Sequence, residues 1–304
     1  MTSSRTPPLL YPDFSSILNR NSVWAIETKM YNILTAYLQT PDSQPTPTAS
    51  ILCSLSPTIR QDEDSTGKEH PESFLWELWD LIYRLAEQIP FTHPAHQKLV
   101  DIIAAICVLG SEPGGSFGAE IMSCNPDIMT QALSERLVQL HSDSVLRSND
   151  FDRWESLNGL AARLTALGLC ARLSDAVIAI SKALERTGLS KGNGVNEEVQ
   201  LEAEMRVMAR YVALCGGAVY NIVGDKSFQG GNPWRGERGV ARQRWEFWLE
   251  KLTGMLRNDS LGDGIRRLAG EAFQGMYRAE QEQDYAANNN ARRAFASRNS
   301  AAIH

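Results

Sequence analysis

The chain has 304 residues, 43% of them hydrophobic and 22% charged, which is the composition of a folded protein and excludes a disordered one. Its formal net charge of -6 and pI ≈ 5.5 lack the basic footprint of a general nucleic-acid binder. No apolar run reaches the length of a bilayer span, and the polar, proline-containing start has no signal-peptide pattern, so the expected compartment is the cytoplasm or the nucleus.

In chain order, residues 1–21 read as a mostly flexible segment with a short helix around 13–18. Ser22 then reads as an N-cap, followed by Val23, Ile26, Met30, Ile33, Leu34, Tyr37 and Leu38 at helical spacing. Pro41, Pro45 and Pro47 mark a loop, residues 49–55 one or two helical turns, and residues 56–70 a polar, acidic linker. Residues 72–89 form a clear amphipathic helix through Phe74, Leu75, Leu78, Trp79, Ile82, Leu85 and Ile89, stopped by Pro90. A second helix starts near Pro94 and stops at Gly110, which makes the pair an αα-hairpin.

After a glycine-rich loop at 111–119, a helix is predicted over 126–141. Asp150 or Asp152 caps the next, whose buried face is Trp154, Leu157, Leu160, Ala161, Leu164 and Leu167. Another runs from Ser174 through Val177, Ile180 and Leu184. The longest stripe follows: Leu201, Met205, Met208, Val212, Cys215, Val219 and Ile222, with Gly216 and Gly217 permitting close approach of a neighbouring helix. A long loop over 225–239 precedes a helix carrying Trp245, Trp248, Leu249 and Leu252. A last helix runs over 261–282 through Ile265, Leu268, Ala272, Phe273 and Met276. Residues 286–304 have no apolar stripe and are expected to be disordered.

No segment shows strand-type alternation. The expected fold is all-α: a multi-helix bundle of consecutive antiparallel αα-hairpins, with an irregular α-solenoid as the runner-up. The expected organisation is a single helical domain over 22–285, interrupted by the 56–70 linker. Five scattered cysteines, never spaced Cys-x-x-Cys, argue against a disulfide framework or a cysteine-rich zinc site, and Cys107 and Cys215 read as small buried apolar residues.

Separated motifs then become recognisable. Phe-Leu-Trp-Glu-Leu-Trp-Asp from Phe74 leads into Ala-Glu-Gln-Ile-Pro from Ala86, His93-Pro94 and Lys98-Leu99-Val100. Further on come Trp154 with Leu157-Asn158, Ala162-Arg163-Leu164, Trp234-Arg235, Arg244-Trp245 and Phe247-Trp248. This order resembles a large fungal family known as domain of unknown function 3632, over about residues 24–277. The resemblance implies a soluble helical fold and brings no established activity with it.

Candidate chemistry is sparse. His93 and His96, three apart at a helix start, suit metal ligation in spacing, but no third ligand is identifiable. The simpler reading gives His93 backbone hydrogen bonds in the turn and turns His96 to solvent. The stretch from Gly114 to Gly118 matches Gly-x-Ser-x-Gly around Ser116, yet follows a helix where a nucleophile elbow needs a strand. No metal or cofactor is therefore expected. The tryptophans and arginines of the C-terminal half are the remaining constellation. Trp154, Asn158, Arg163, Trp234, Arg235 and Trp245 are the candidate lining of an aromatic pocket, weighed against ordinary core packing. The leading functional expectation is a protein-interaction or scaffold module with a protein partner. The alternative is a small-molecule-binding protein or cofactor-free enzyme of specialised metabolism; the oligomeric state is not legible.

Overall fold

The computed structural model describes residues 14–18, 24–60, 69–111, 119–144, 151–185, 197–222 and 242–301. Among the described residues the chain is helical throughout: a 3₁₀ turn at Ser15–Leu18, then α1 (Ala25–Gln39), α2 (Pro45–Ser54), α3 (Pro71–Gln88), α4 (Pro94–Ser111) and α5 (Ala119–Ser144). These are followed by α6 (Phe151–Ala166), α7 (Leu173–Leu184), α8 (Glu197–Asn221), α9 (Arg242–Leu256) and α10 (Asp263–Ala301). None of the described helices is long and apolar enough to cross a membrane. The helices form the expected all-α bundle. It divides into two compact units, residues 1–143 with 152–160 and residues 144–151 with 161–304, where the sequence predicts a single domain.

In the first unit the helix boundaries follow proline chemistry. Pro45 and Pro47 open α2 instead of marking a loop, because the first turn of a helix has no use for their missing N–H. Pro71 does the same for α3, where the His70 side chain caps the Glu72 N–H at 3.3 Å. Residues 56–60 are a packed turn, with Ser56 fully buried and Arg60 paired to Glu69 at 2.6 Å, so this part of the predicted linker belongs to the core; residues 61–68 lie outside the described residues. Near the N-terminus, Phe14 and Ile17 are buried, and Arg84 donates to the Ile17 carbonyl at 2.9 Å and to Glu27 at 2.5 Å. The flexible segment expected over 1–21 is thus anchored at these residues, while 1–13 and 19–21 lie outside the described ones.

Two contacts fix α4. The Lys98 ammonium donates to the Tyr37 carbonyl at 2.6 Å, to Ser43 Oγ at 2.7 Å and to the Thr40 carbonyl, covering the C-terminus of α1. His96 is wholly buried, with Nε2 2.9 Å from the Ser156 carbonyl of α6 and its ring edge-on to Phe91 at 5.4 Å. That corrects the expectation of a solvent-facing His96, since a ring nitrogen with a carbonyl partner can be enclosed without loss. His93 behaves as predicted, accepting from the Ala95 N–H at 3.1 Å. Beside His96, Phe91 lies so close to Gly159 of α6 that a Cβ there would come within 2.2 Å of its ring.

In the second unit α8 packs against α7 and α10, and α10 against α9. Every member of the predicted α8 stripe from Leu201 to Val219 is buried. The close approach read from Gly216 and Gly217 is real: a Cβ on Gly216 would sit 3.4 Å from Ala279 of α10, and one on Gly275 would clash with Val212 at 2.8 Å. Cys215 donates to the Ala162 carbonyl at 3.3 Å, and burial pushes its thiol up to about 12, consistent with a packing role; Cys107 is only half-buried.

Leu167, predicted on the α6 stripe, is 59% exposed because the helix stops one residue earlier. Gly168 turns the chain at φ +70, with Gly168 N donating to Thr165 O at 3.0 Å and Leu169 N to Leu164 O at 2.9 Å, a Schellman cap. At the start of α10 the Gly262 N–H is capped by Glu198 of α8 at 3.2 Å. This helix continues to Ala301, past the predicted end at 282 and through the segment expected to be disordered; alanine and arginine favour helix without needing a buried stripe.

Candidate functional site

Helix α9 carries one of the candidate residues, Trp245, together with Arg244 and Trp248. Arg244, Trp245, Trp248 and Leu252 fall at three-four spacing on one face, and all four are completely buried. The Arg244 guanidinium reaches α7: Nε donates to Glu185 Oε1 at 2.6 Å, and Nη2 donates to Glu185 Oε2 at 3.0 Å and Ser181 Oγ at 2.7 Å. One turn on, Trp248 Nε1 donates to the same Glu185 Oε1 at 2.8 Å, with the guanidinium 5.1 Å from its ring. Charge, donors and acceptors are matched within this node, which is how a buried ion pair tolerates desolvation. Trp245 is packed edge-on against Tyr220 at 5.1 Å, and its Nε1 has no acceptor among the described residues.

The other predicted lining residues are placed differently. Trp154, in the first unit, is buried and stacks on His141 at 5.7 Å. Asn158 donates to the Trp154 carbonyl at 2.8 Å, so its amide bonds its own helix. Arg163 is half-buried in the α6 segment that belongs to the second unit. Trp234 and Arg235 lie outside the described residues, as do Ser116 and the glycines around it. The first unit has its own buried acid, which sequence reasoning missed: Glu87 of α3 accepts from Arg136 of α5 through Nη2 at 2.9 Å and through Nε, and from Arg153 Nη2 of α6 at 2.6 Å. Glu87 and Glu185 both look like ordinary helix-surface acids in sequence, because their arginines lie 49 to 66 residues away. Among the described residues no group of three His, Cys, Asp or Glu side chains could hold a metal ion.

A concavity opens on the other face of α9. Phe247, Glu250, Lys251, Gly254, Met255 and Asn258, again at three-four spacing, line a groove of about 570 Å³ together with Leu201 of α8 and Leu261 of the turn before α10. By helix rise the α9 part of the wall, from Phe247 to Met255, is about 12 Å long, and Asn258 lies just past the helix end. Phe247, Met255 and Leu261 are half-buried, and Glu250, Lys251, Gly254 and Asn258 are exposed along the opening. Lys251 holds its ammonium 5.3 Å from the Phe247 ring.

No curated protein and no solved structure matches the chain. A family model described as "Protein of unknown function (DUF3632)" matches residues 79–252, more than half of the chain, and reaches into both units. The ordered tryptophan, arginine and proline motifs and the matched model agree, and the chain belongs to the DUF3632 family.

Proposed function

We propose that this protein is a noncatalytic interaction module, and that the α9 groove of its second unit receives a segment of another protein. One observation supports the reading: the same helix that seals its tryptophan and arginine face lines an apolar groove on its other face, along which Phe247, Met255 and Leu261 are half-buried. The polar groups that an enzyme of this kind would converge on a substrate are engaged elsewhere: Asn158 with its own backbone, Arg244 with Glu185. The test is affinity capture with the full chain, compared with Phe247→Glu. A reproducible partner whose recovery falls with Phe247→Glu is the expected result. Recovery indifferent to that substitution, or no partner at all, overturns the reading.

A second reading, a small-molecule-binding protein or cofactor-free enzyme lined by Trp154, Asn158, Arg163, Trp234, Arg235 and Trp245, is favoured by the buried Trp245 N–H, which has no acceptor among the described residues. Its test is native mass spectrometry against small polar and aromatic metabolites. Adducts lost on Trp245→Phe with the fold retained support it, and their absence removes it.

A further inference from the structure

The 3₁₀ turn at Ser15–Leu18 sits in the first unit much as a short peptide ligand would. Phe14 and Ile17, three residues apart, are buried, and the turn packs on α3. Its polar tie is to the main chain: Arg84 of α3 donates through Nη1 to the Ile17 carbonyl at 2.9 Å. That hook is held in place independently of the turn. Arg84 Nε lies 2.9 Å from Asp80 Oδ2, one turn back on α3, and Nη2 reaches Glu27 of α1. Carboxylates on two edges of the guanidinium thus position its third edge for a carbonyl oxygen.

We infer that residues 14–18 are a reversible strap, and that the seat they cover on α3 accepts, when the strap lifts, a turn of a partner protein with an aromatic and an aliphatic residue three apart. This seat belongs to the first unit and is independent of the α9 groove. The strap is a single 3₁₀ turn, closed by Ile17 N donating to Phe14 O at 3.0 Å, and such turns bond less well than α-helix. Segments of this kind near a chain terminus open at far lower cost than the core helix beneath them. The occupant's chemistry is read from the strap itself: two apolar side chains at i and i+3, and a carbonyl for Arg84. Because every residue has a carbonyl, the seat specifies spacing and apolarity more than exact sequence. The strap is tethered to its own seat, so its high effective concentration keeps the full chain closed until a partner displaces it.

The probe is a fluorescent peptide with the sequence of residues 10–20, offered to the full chain as wild type and as the strap-opening variants Phe14→Glu and Ile17→Asp, whose charges cannot stay buried unpaired. The probe is expected to bind both variants at least about tenfold more tightly than the wild type, and to lose binding when the peptide itself carries Phe14→Glu. Adding Arg84→Gln to the Phe14→Glu chain should weaken the probe. In the wild type, amide hydrogen exchange over residues 15–18 should be at least about tenfold faster than in the buried turns of α3. Equal binding to wild type and variants, or a probe indifferent to its own Phe14, overturns the seat. Exchange as slow as that of α3, or unfolding of both variants, overturns the strap and makes the turn part of the core. A wild-type dimer that dissociates with Phe14→Glu would put a second copy's turn on the seat and overturn the partner.

Discussion

The two faces of α9 are built by one short stretch of sequence and behave as opposites. On one, Arg244, Trp245 and Trp248 are completely enclosed and tied to Glu185 of α7 by charge-assisted hydrogen bonds. On the other, Phe247 and Met255 flank a glycine whose missing side chain leaves open space. The difference teaches where to look for function: large enclosed aromatic rings tied by charge-assisted hydrogen bonds are a structural node, and a modest apolar strip with unused volume is the surface on which the proposed binding is to be tested.

That contrast can be broken most forcefully at Arg244. Arg244→Met leaves Glu185 buried without its cation and should cost about 3–5 kcal/mol in urea unfolding, while adding Glu185→Gln, which removes the stranded charge, should recover part of the loss. A smaller effect is expected for Trp248→Phe, which deletes the N–H donated to Glu185; about 1.5–3 kcal/mol is the range for a hydrogen bond to a charged group. If either variant is as stable as the wild type, the sealed face is not the node described. Across the helix the sign reverses. Gly254→Ala should raise stability by about 0.5–1 kcal/mol, since helix propensity improves and no clash is introduced. Phe247→Ser, half-exposed, should shift stability by no more than about 0.5 kcal/mol while weakening partner capture, which separates a surface made for binding from one made for folding.

Much of the fold was readable because it rests on local periodicity. The α3 stripe and the α8 stripe from Leu201 to Val219 are buried as read, and Gly216 and Gly217 do mark a close helix approach. Prolines were read too simply. Pro45 and Pro47 look like loop residues until the unused donors of a first helical turn are considered. The candidate site was less legible for two physical reasons. Partners such as Glu185 and Arg244 meet only after the intervening helices fold back, so no spacing announces them. A periodicity search also credits each helix with one apolar face, and in α9 the strong tryptophan stripe hides the weaker one holding Phe247 and Met255. His96 failed similarly, because its partner is a backbone carbonyl on a helix 60 residues away.

The contact between Phe91 and Gly159 reaches into the history of the family. The ring occupies the volume that any side chain at 159 would claim, so the two positions share one allotment of space. Both fall within the stretch that the family model matches. In relatives, a residue larger than glycine at 159 should therefore be accompanied by a smaller one at 91, and the pair should vary together or stay fixed together.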